Sequence, residues 1–294
     1  MKTSIGIFFL AFFILPKMLQ GQDTWLLKSA ENNVPIPYAK VTEVNSLQWT
    51  SSNSQGEFQL DSSLFTDGAT FSISAMGYGD TLVSLDRIKK SKLVLLRSRY
   101  VEMEEHLVVS KLLKKQEIGH LDLPFSFSKS EGRRQAPITT NRYAVYVEFP
   151  RKGTKLLSKL SYYLSELGDP NPTITLRVLV SDEIKKPKEG RIYRISQFKD
   201  IKFQSQSLYE SQGYGWSEID LSQDEIIIPE KYKGAFLIFD LMDKGKQIQE
   251  SLVIPFQNKS REKLHAGFYQ TSGILGVYNK NNDHFAVVLE YLTE

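Results

Sequence analysis

Three short segments between residues 34 and 96 decide the fold of this chain: VPIPYAKV at 34–41, NSQGEF at 53–58 and FSISAMGY at 71–78. In the third segment Phe71, Ile73 and Ala75 alternate with small polar residues, which is typical of a strand with one buried face. The polar turn around Gly56 separates two short runs and predicts a β-hairpin. The continuous apolar run Leu93 to Leu96 predicts a strand covered on both faces. Together these segments predict a seven-stranded β-sandwich.

The order of these segments resembles the carboxypeptidase regulatory-like domain, a transthyretin-like β-sandwich of exported proteins in Bacteroidetes-type bacteria. The resemblance rests on P-I-P-x-A-x-V, then S-N-x-x-G-x-F, then S-x-x-G-Y and a closing apolar strand. Trp25-Leu26-Leu27 replaces the Gly-x-Val of the usual opening edge strand, and Asn53 replaces the usual Asp, which argues against a metal at that turn. The resemblance implies that residues 23–98 form this domain. Glu102 to Ser110 is similar to the segment that follows it in TonB-dependent outer-membrane receptors.

The first residues predict an export signal. Lys2 supplies a positive charge, and Ile5 to Leu15 is an apolar run too short to span a bilayer, which needs roughly 20 apolar residues. Cleavage after Gly21 would remove residues 1–21; an uncleaved interfacial anchor is the alternative. Cysteine is absent, so we expect neither a disulfide framework nor a lipidated cysteine. We predict export to the periplasm or the outer membrane, with no transmembrane span after signal cleavage.

The charge of the chain argues against nucleic acid as a partner. Loss of Lys2 and Lys17 with the signal peptide lowers the formal net charge from +3 to +1. Acids and bases are interspersed in the remainder, whereas a protein that binds nucleic acid concentrates its basic residues on one surface.

The rest of the chain predicts a connector at residues 99–140 and a larger sandwich at 141–294. In the connector, Leu107 to Leu113 fits either a short helix or an added strand. After it, alternating runs separated by turn-rich loops predict about eight strands and favour a jelly-roll-like sandwich. The order Arg177-Val178, a Pro/Gly loop, G-W-x-x-x-D-L and I-x-x-P resembles the C-terminal sandwich that often accompanies the regulatory-like domain. The predicted fold class is therefore all-β throughout.

No motif for catalysis or for metal binding is present in the sequence. The four histidines lie far apart, without the spacing of a zinc site, and there is neither a G-x-S-x-G elbow nor a P-loop. Asp240 and Asp243 could form half of a glycosidase carboxylate pair. The favoured interpretation is that they begin a solvated hairpin at residues 242–246. We therefore predict no catalytic residue, no metal and no cofactor.

Tyr209, Tyr214 and Trp216 are the candidate ligand-binding residues. They lie in one Gly-rich region, and flat aromatic rings stack on sugars. The alternative is that Trp216 is a core anchor at the start of the strand that carries Ile219 and Leu221, since large aromatics usually support packing. The core position is favoured.

These observations predict a non-enzymatic binding or scaffold protein of the cell envelope, with a protein or a glycan as its partner. Strand edges of such domains can add a partner strand, and Val101 to Ser110 is a plausible docking element. The alternative is an envelope enzyme or carbohydrate-binding protein acting on glycans or peptides, because the regulatory-like domain often accompanies a catalytic partner.

Overall fold

The computed structural model describes residues 24–46, 48–60, 65–66, 68–99, 113–122, 142–149, 152–184, 188, 190–201, 208–211, 213–242, 254–257, 264–270, 274–278 and 284–293. Strands dominate these residues, which confirms the predicted all-β class. The predicted signal peptide (residues 1–21) and docking element (101–110) lie outside the described residues. Within the described part of the chain, no helix is long and apolar enough to cross a membrane.

The first module is a sandwich of a three-stranded and a four-stranded sheet. The strand orders are β4-β1-β7 and β3-β2-β5-β6, so the described residues of this module contain the seven strands that were predicted. Its elements in chain order are β1 (Thr24–Ser29), β2 (Lys40–Glu43), β3 (Trp49–Ser51), β4 (Glu57–Gln59), β5 (Thr70–Ser74), β6 (Thr81–Ser84), α1 (Leu85–Ser91) and β7 (Leu93–Leu96).

The positions of β1 and β7 were not both predicted. β1 is the central strand of its sheet, antiparallel to β4 and parallel to β7, a position that the sequence had left undecided. β7 is covered on one face only, because Leu95 is 50% exposed between buried Val94 and Leu96. Its apolar run therefore reflects an edge strand with one exposed leucine, and the prediction of two covered faces was wrong.

The apolar run at Leu82, Val83 and Leu85 predicts a single strand, but the structure ends the strand at Ser84. The Ser84 hydroxyl accepts a hydrogen bond from the backbone N–H of Arg87 and caps α1. Leu85 and Ile88 are both buried, three residues apart, as the inner face of a helix requires.

The second module is a larger antiparallel sandwich. A five-stranded sheet has the order β15-β10-β22-β8, with β16 also paired to β10; an eight-stranded sheet has the order β12-β20-β19-β9-β17-β11-β13, with β14 also paired to β11. Its strands in chain order are β8 (Lys114–Ile118), β9 (Arg142–Glu148), β10 (Lys155–Leu164), β11 (Thr173–Val180), β12 (Ile192–Arg194), β13 (Lys199–Asp200), β14 (Tyr209–Glu210), β15 (Gly215–Asp220), β16 (Ile227–Ile228), β17 (Gly234–Leu241), β18 (Phe256–Gln257), β19 (Leu264–Gln270), β20 (Ile274–Tyr278), β21 (His284–Phe285) and β22 (Val287–Thr293).

The core of this module lies between its two sheets. The inward residues of β9, β11 and β17 meet those of β10, β15 and β22 in one apolar cluster. A second, smaller cluster covers the other face of the eight-stranded sheet, where Phe198 packs edge-on against Phe236. The eight-stranded sheet is therefore covered on both faces, which explains the nearly continuous burial of β9, β11 and β17.

The predicted connector contributes a strand to the second sandwich. β8, which lies within residues 99–140, pairs antiparallel with β22 from Ile118 opposite Leu289 to Lys114 opposite Thr293. Gly119 follows this strand with φ of +107°, and a Cβ there would clash with the Val287 carbonyl oxygen. Only glycine fits this close approach without strain.

Candidate functional site

Trp216 lies on the outer face of the five-stranded sheet, where its half-buried side chain still packs against the core cluster. Its Cα is opposite Tyr163 of β10, and Ile219 is opposite Leu160. Ile219 and Leu160 are both buried. Because side chains alternate between the two faces of a strand, Trp216 shares its face with exposed Glu218. The favoured core position is therefore correct only in part: Trp216 packs against the core cluster, but it is half-buried and one residue out of phase with Ile219.

Tyr163 and Trp216 form an aromatic pair on this face. Their ring centroids are 5.6 Å apart with an interplanar angle of 86°, which is the edge-to-face geometry that aromatic pairs prefer. The indole Nε1–H of Trp216 has no hydrogen-bond partner among the described residues. Because that nitrogen is buried, the pair offers apolar ring surface on this face and no accessible indole donor.

Polar groups border the aromatic pair two and four residue pairs along the same strands. Glu218 Oε1 accepts hydrogen bonds from Lys159 Nζ at 3.0 Å and from Ser161 Oγ at 3.5 Å. The hydrogen bond to Glu218 raises the pKa of Lys159, so the ammonium stays charged. An aromatic surface beside a carboxylate, a hydroxyl and an ammonium can stack on a sugar ring and bind its hydroxyls.

Tyr214 lies in the loop just before β15, two residues before Trp216. Its side chain is 48% exposed, and its hydroxyl donates a hydrogen bond to the carbonyl of Gly168 at 3.4 Å. The preceding Gly213 donates its N–H to Asn171 Oδ1 at 3.1 Å. These contacts attach the loop that carries Tyr214 to the neighbouring loop and fix where the aromatic side chain lies.

The structure separates Tyr209 from the other two predicted ligand residues. Tyr209 lies in β14, which pairs with β11 of the eight-stranded sheet. Its hydroxyl donates a hydrogen bond of 2.6 Å to Asp224 Oδ2, and its ring packs against the core. Sequence proximity therefore grouped three aromatics, of which Tyr209 and Trp216 lie on different sheets.

Arg177, in the middle of β11, joins the two sandwiches. Its guanidinium binds Asp200 of the same sheet through Nε at 2.6 Å and Nη2 at 3.0 Å. It also reaches three groups of the first sandwich: Ser74 Oγ at 2.9 Å, Asp80 Oδ1 at 3.0 Å and the Tyr78 carbonyl at 3.1 Å. All five N–H donors of the guanidinium are used.

The charges around Arg177 are buried. Although burial acts to lower it, the carboxylates of Asp200 and Asp80 raise the pKa of Arg177 above its ordinary value. Burial raises the pKa of Asp200 above its ordinary value, and Arg177 opposes that change. The group consists of one guanidinium and two carboxylates. Because all three are buried, the group holds the two sandwiches together and does not present an acid–base pair to solvent.

Asp240 belongs to a second buried group at the same junction. Its Oδ1 accepts a short hydrogen bond from Arg142 Nε and lies 3.8 Å from Lys40 Nζ of the first sandwich. Lys40 also donates to the Leu241 carbonyl at 3.2 Å and lies over the Trp49 ring. The interpretation of Asp240 as part of a solvated hairpin was therefore wrong; Asp243 lies outside the described residues.

The sequence contained a signal for this junction that was not used. Arg177 is the one charged residue within the apolar run of β11, TITLRVLV. A charge on a fully buried strand requires a partner, so this position predicts an internal ion pair. Its partners, Asp200 and Asp80, are separated from it in sequence by 23 and 97 residues.

No family model and no curated protein matches this chain. Among solved structures, the chain is similar to the cysteine protease and lectin-like domains of Cwp84, a surface layer associated protein of Clostridium difficile, with a TM-score of 0.35 and 10% identity over 53% of this chain. The chain spans about a third of the length of that structure. It is also similar to clostridial Cwp84 after propeptide cleavage, with a TM-score of 0.35 and 8% identity over 93% of this chain and 71% of the other. Similarity at this level carries no argument about function.

Proposed function

We propose that the protein is a non-enzymatic binding protein of the cell envelope that holds a glycan on the outer face of its five-stranded sheet. The observation that carries the proposal is the position of Trp216: it lies half-buried on the outer face beside Tyr163, and exposed Tyr214 comes two residues before it in the chain. Both rings of the pair pack against the core cluster, and the part of their surface that stays exposed supports stacking on a sugar ring.

The polar groups on this face support a carbohydrate as the ligand. Glu218, Lys159 and Ser161 alternate donors and acceptors along the two strands that carry the aromatic pair. Sugar hydroxyls both donate and accept, so a mixed set of this kind binds them better than a surface of one charge sign. The exposed Lys159–Glu218 pair contributes little to stability and is free to exchange partners when a ligand arrives.

The buried acids argue for binding rather than hydrolysis. Asp240, Asp200 and Asp80 are engaged by cations at the junction, whereas glycoside hydrolysis needs two carboxyl groups that face the substrate. The rival proposal, an envelope enzyme, is tested by incubating the mature protein with polysaccharides and peptides. Turnover that Asp240→Asn abolishes, in a variant with an unchanged circular dichroism spectrum, would favour the enzyme.

Export is part of the same proposal and rests on residues 1–21. We propose the periplasm or the outer membrane as the destination, and mass spectrometry of the mature N-terminus tests the cleavage. A scaffold role through residues 101–110 stays a prediction; a pull-down from envelope extracts with the full mature chain, with and without those residues, tests it.

The glycan proposal is tested by retention on insoluble cellulose, chitin and peptidoglycan. We expect the mature protein to be retained by at least one of these and Tyr214→Ala and Trp216→Ala to lose that retention. Tyr209→Phe is the matched control, because it removes only a hydroxyl on the opposite sheet. Because Trp216 is half-buried, its replacement should cost less than the about 3–5 kcal/mol of a fully buried aromatic.

Two results would contradict the proposal. One is that none of the three polymers retains the mature protein. The other is that Tyr214→Ala and Trp216→Ala are retained as strongly as Tyr209→Phe, which would place any glycan site elsewhere.

A further inference from the structure

A cleft of about 280 Å³ opens between the two sandwiches. Leu82 of β6 lines it from the first sandwich, and Arg194, Ile195 and Ile274 line it from the second. The cleft is separate from the aromatic face described above. Ligand sites are typically roughly 300–1,000 Å³, mostly apolar, with a few polar groups that fix orientation. The volume of this cleft therefore suits a small molecule.

Arg194 is the accessible charged group among the described residues that line the cleft. It ends β12, its side chain is exposed, and it forms no ion pair with any described carboxylate. Asp80 also lines the cleft, but its side chain is only 7% exposed and its Oδ1 accepts a hydrogen bond from Arg177 at 3.0 Å. The charge that the cleft offers to a ligand is therefore positive, and a guanidinium binds a carboxylate in a bidentate geometry.

Exposed aliphatic side chains lie close to Arg194. Ile192 is 70% exposed and lies on the same face of β12 as Arg194, two residues along the strand. Ile274 of β20 is directly opposite Arg194, and Leu82, on edge strand β6 of the first sandwich, is 59% exposed. Single exposed aliphatic residues are ordinary on protein surfaces, whereas several in one place mark an interaction site. These residues give the cleft an apolar wall next to a cation.

We propose that this cleft binds a short aliphatic carboxylate. The carboxylate binds Arg194, and the hydrocarbon chain packs on Leu82, Ile192 and Ile274. The buried Arg177 group contains two carboxylates and one guanidinium, so it repels an anion at the Asp80 end of the cleft. That repulsion favours the orientation in which the charge of the ligand lies at Arg194. The inference is independent of the glycan proposal, because the two sites share no residue.

The test is calorimetric titration of the mature protein at neutral pH with three compounds. The first, 4-methylpentanoate, carries both the charge and the branched chain; 4-methylpentanamide has the same shape without the charge, and acetate has the charge without the chain. We expect 4-methylpentanoate to bind at least about tenfold more tightly than either of the others, because the amide loses the charged contact with Arg194 and acetate loses the apolar contacts. Absence of 4-methylpentanoate binding at millimolar concentration, or an equal affinity for either of the other two compounds, would overturn the proposal.

Replacing Arg194 assigns the charged end of the ligand. Arg194→Gln should reduce the affinity for 4-methylpentanoate at least about tenfold and leave the affinity for 4-methylpentanamide unchanged. Arg191→Gln is the matched control, because Arg191 is an exposed arginine just before β12 that is not among the residues lining the cleft. Both variants change the net charge equally. If Arg194→Gln binds 4-methylpentanoate like Arg191→Gln, the assignment is wrong.

Replacing Leu82 assigns the apolar end. Because Leu82 is largely exposed, Leu82→Glu should fold normally and place a carboxylate where the hydrocarbon chain would pack. Leu95→Glu, at a leucine that is 50% exposed on the other sheet of the first sandwich, makes the same change away from the cleft. Binding of 4-methylpentanoate should be lost with Leu82→Glu and persist with Leu95→Glu and with Tyr214→Ala. Retention of binding in Leu82→Glu would refute the site.

Discussion

Replacing Arg177 by methionine should destabilise the protein strongly and uncouple the two sandwiches. The side chain makes five hydrogen bonds, two to Asp200 and three to Ser74, Asp80 and the Tyr78 carbonyl. Methionine fills much of the same volume but leaves two carboxylates without their cation at a buried junction.

The magnitude follows from the burial of the group. Removing one partner of a buried ion pair costs about 3–5 kcal/mol, because the remaining charge is left uncompensated. Arg177, Asp200 and Asp80 are all at least nine-tenths buried, so the full range applies. Neutralising both acids as well, in Arg177→Met with Asp200→Asn and Asp80→Asn, should recover a large part of the loss. That recovery separates the charge effect from lost packing.

The assay is urea unfolding followed by tryptophan fluorescence. Of the three tryptophans, Trp25 and Trp49 lie in the first sandwich and Trp216 in the second, so Trp216→Phe leaves reporters in the first sandwich only. In the parent protein we expect the fluorescence and circular dichroism transitions to coincide. In Arg177→Met the first sandwich should unfold separately, because three of the five lost hydrogen bonds crossed the junction.

The control lies on the same strand as Asp200. Lys199 pairs with Asp182 at 2.8 Å, with both side chains about half exposed, so Lys199→Met should cost about 0–1 kcal/mol. If Arg177→Met also unfolds within about 1 kcal/mol of the parent, with coincident transitions, the junction does not hold the sandwiches together and the reasoning fails.

Two further predictions concern single positions. Gly234→Ala should lower the free energy of unfolding by about 1–3 kcal/mol, because the new methyl group would clash with the buried Tyr146 ring and a neighbouring carbonyl. Gly276→Ala is the control: its methyl group meets no atom within 4 Å, so its free energy of unfolding should equal that of the parent. An equal loss in both variants would refute the steric account. Burial acts to raise the pKa of Glu43, but hydrogen bonds from Ser46 and Asn45 lower this pKa below its ordinary value. The stability that the ionised carboxylate contributes is therefore present above its ordinary pKa and lost as the pH falls through the folded-state pKa. Glu43→Gln should destabilise by about 1 kcal/mol at pH 7 and by much less near pH 3, measured by thermal unfolding; a loss independent of pH would contradict this assignment.

The fold class could be predicted because strand periodicity is a local property. The alternation of Phe71, Ile73 and Ala75 directly encodes one buried face, and β5 is buried as expected. Strand order is not local. The positions of β1 at the centre of its sheet and of β8 beside β22 depend on pairings over long sequence separations, for which single segments carry no signal.

The site was predicted in part, and its errors have a physical origin. Tyr209 was grouped with Trp216 although the two lie on different sheets. Trp216 was assigned to the core although Ile219 is three residues away, an odd number that places the two on opposite faces of a strand. Counting in steps of two from Ile219 puts Ser217, and not Trp216, toward the core. Asp240 was assigned to solvent because the polar residues after it predict a turn, yet it still belongs to β17.

The buried charges lie in two groups at the junction between the sandwiches. Lys40, Arg142 and Asp240 form one group, while Arg177, Asp200 and Asp80 form the other. Buried ion pairs add little net stability compared with apolar contacts, but they tolerate only one geometry, because any shift leaves a charge unpaired. We infer that these groups set the relative position of the sandwiches more than the strength of their contact. The first group carries an excess of positive charge and the second an excess of negative charge. In the second group Oδ2 of Asp80 is buried without a hydrogen-bond partner among the described residues, which is an unfavourable part of the junction.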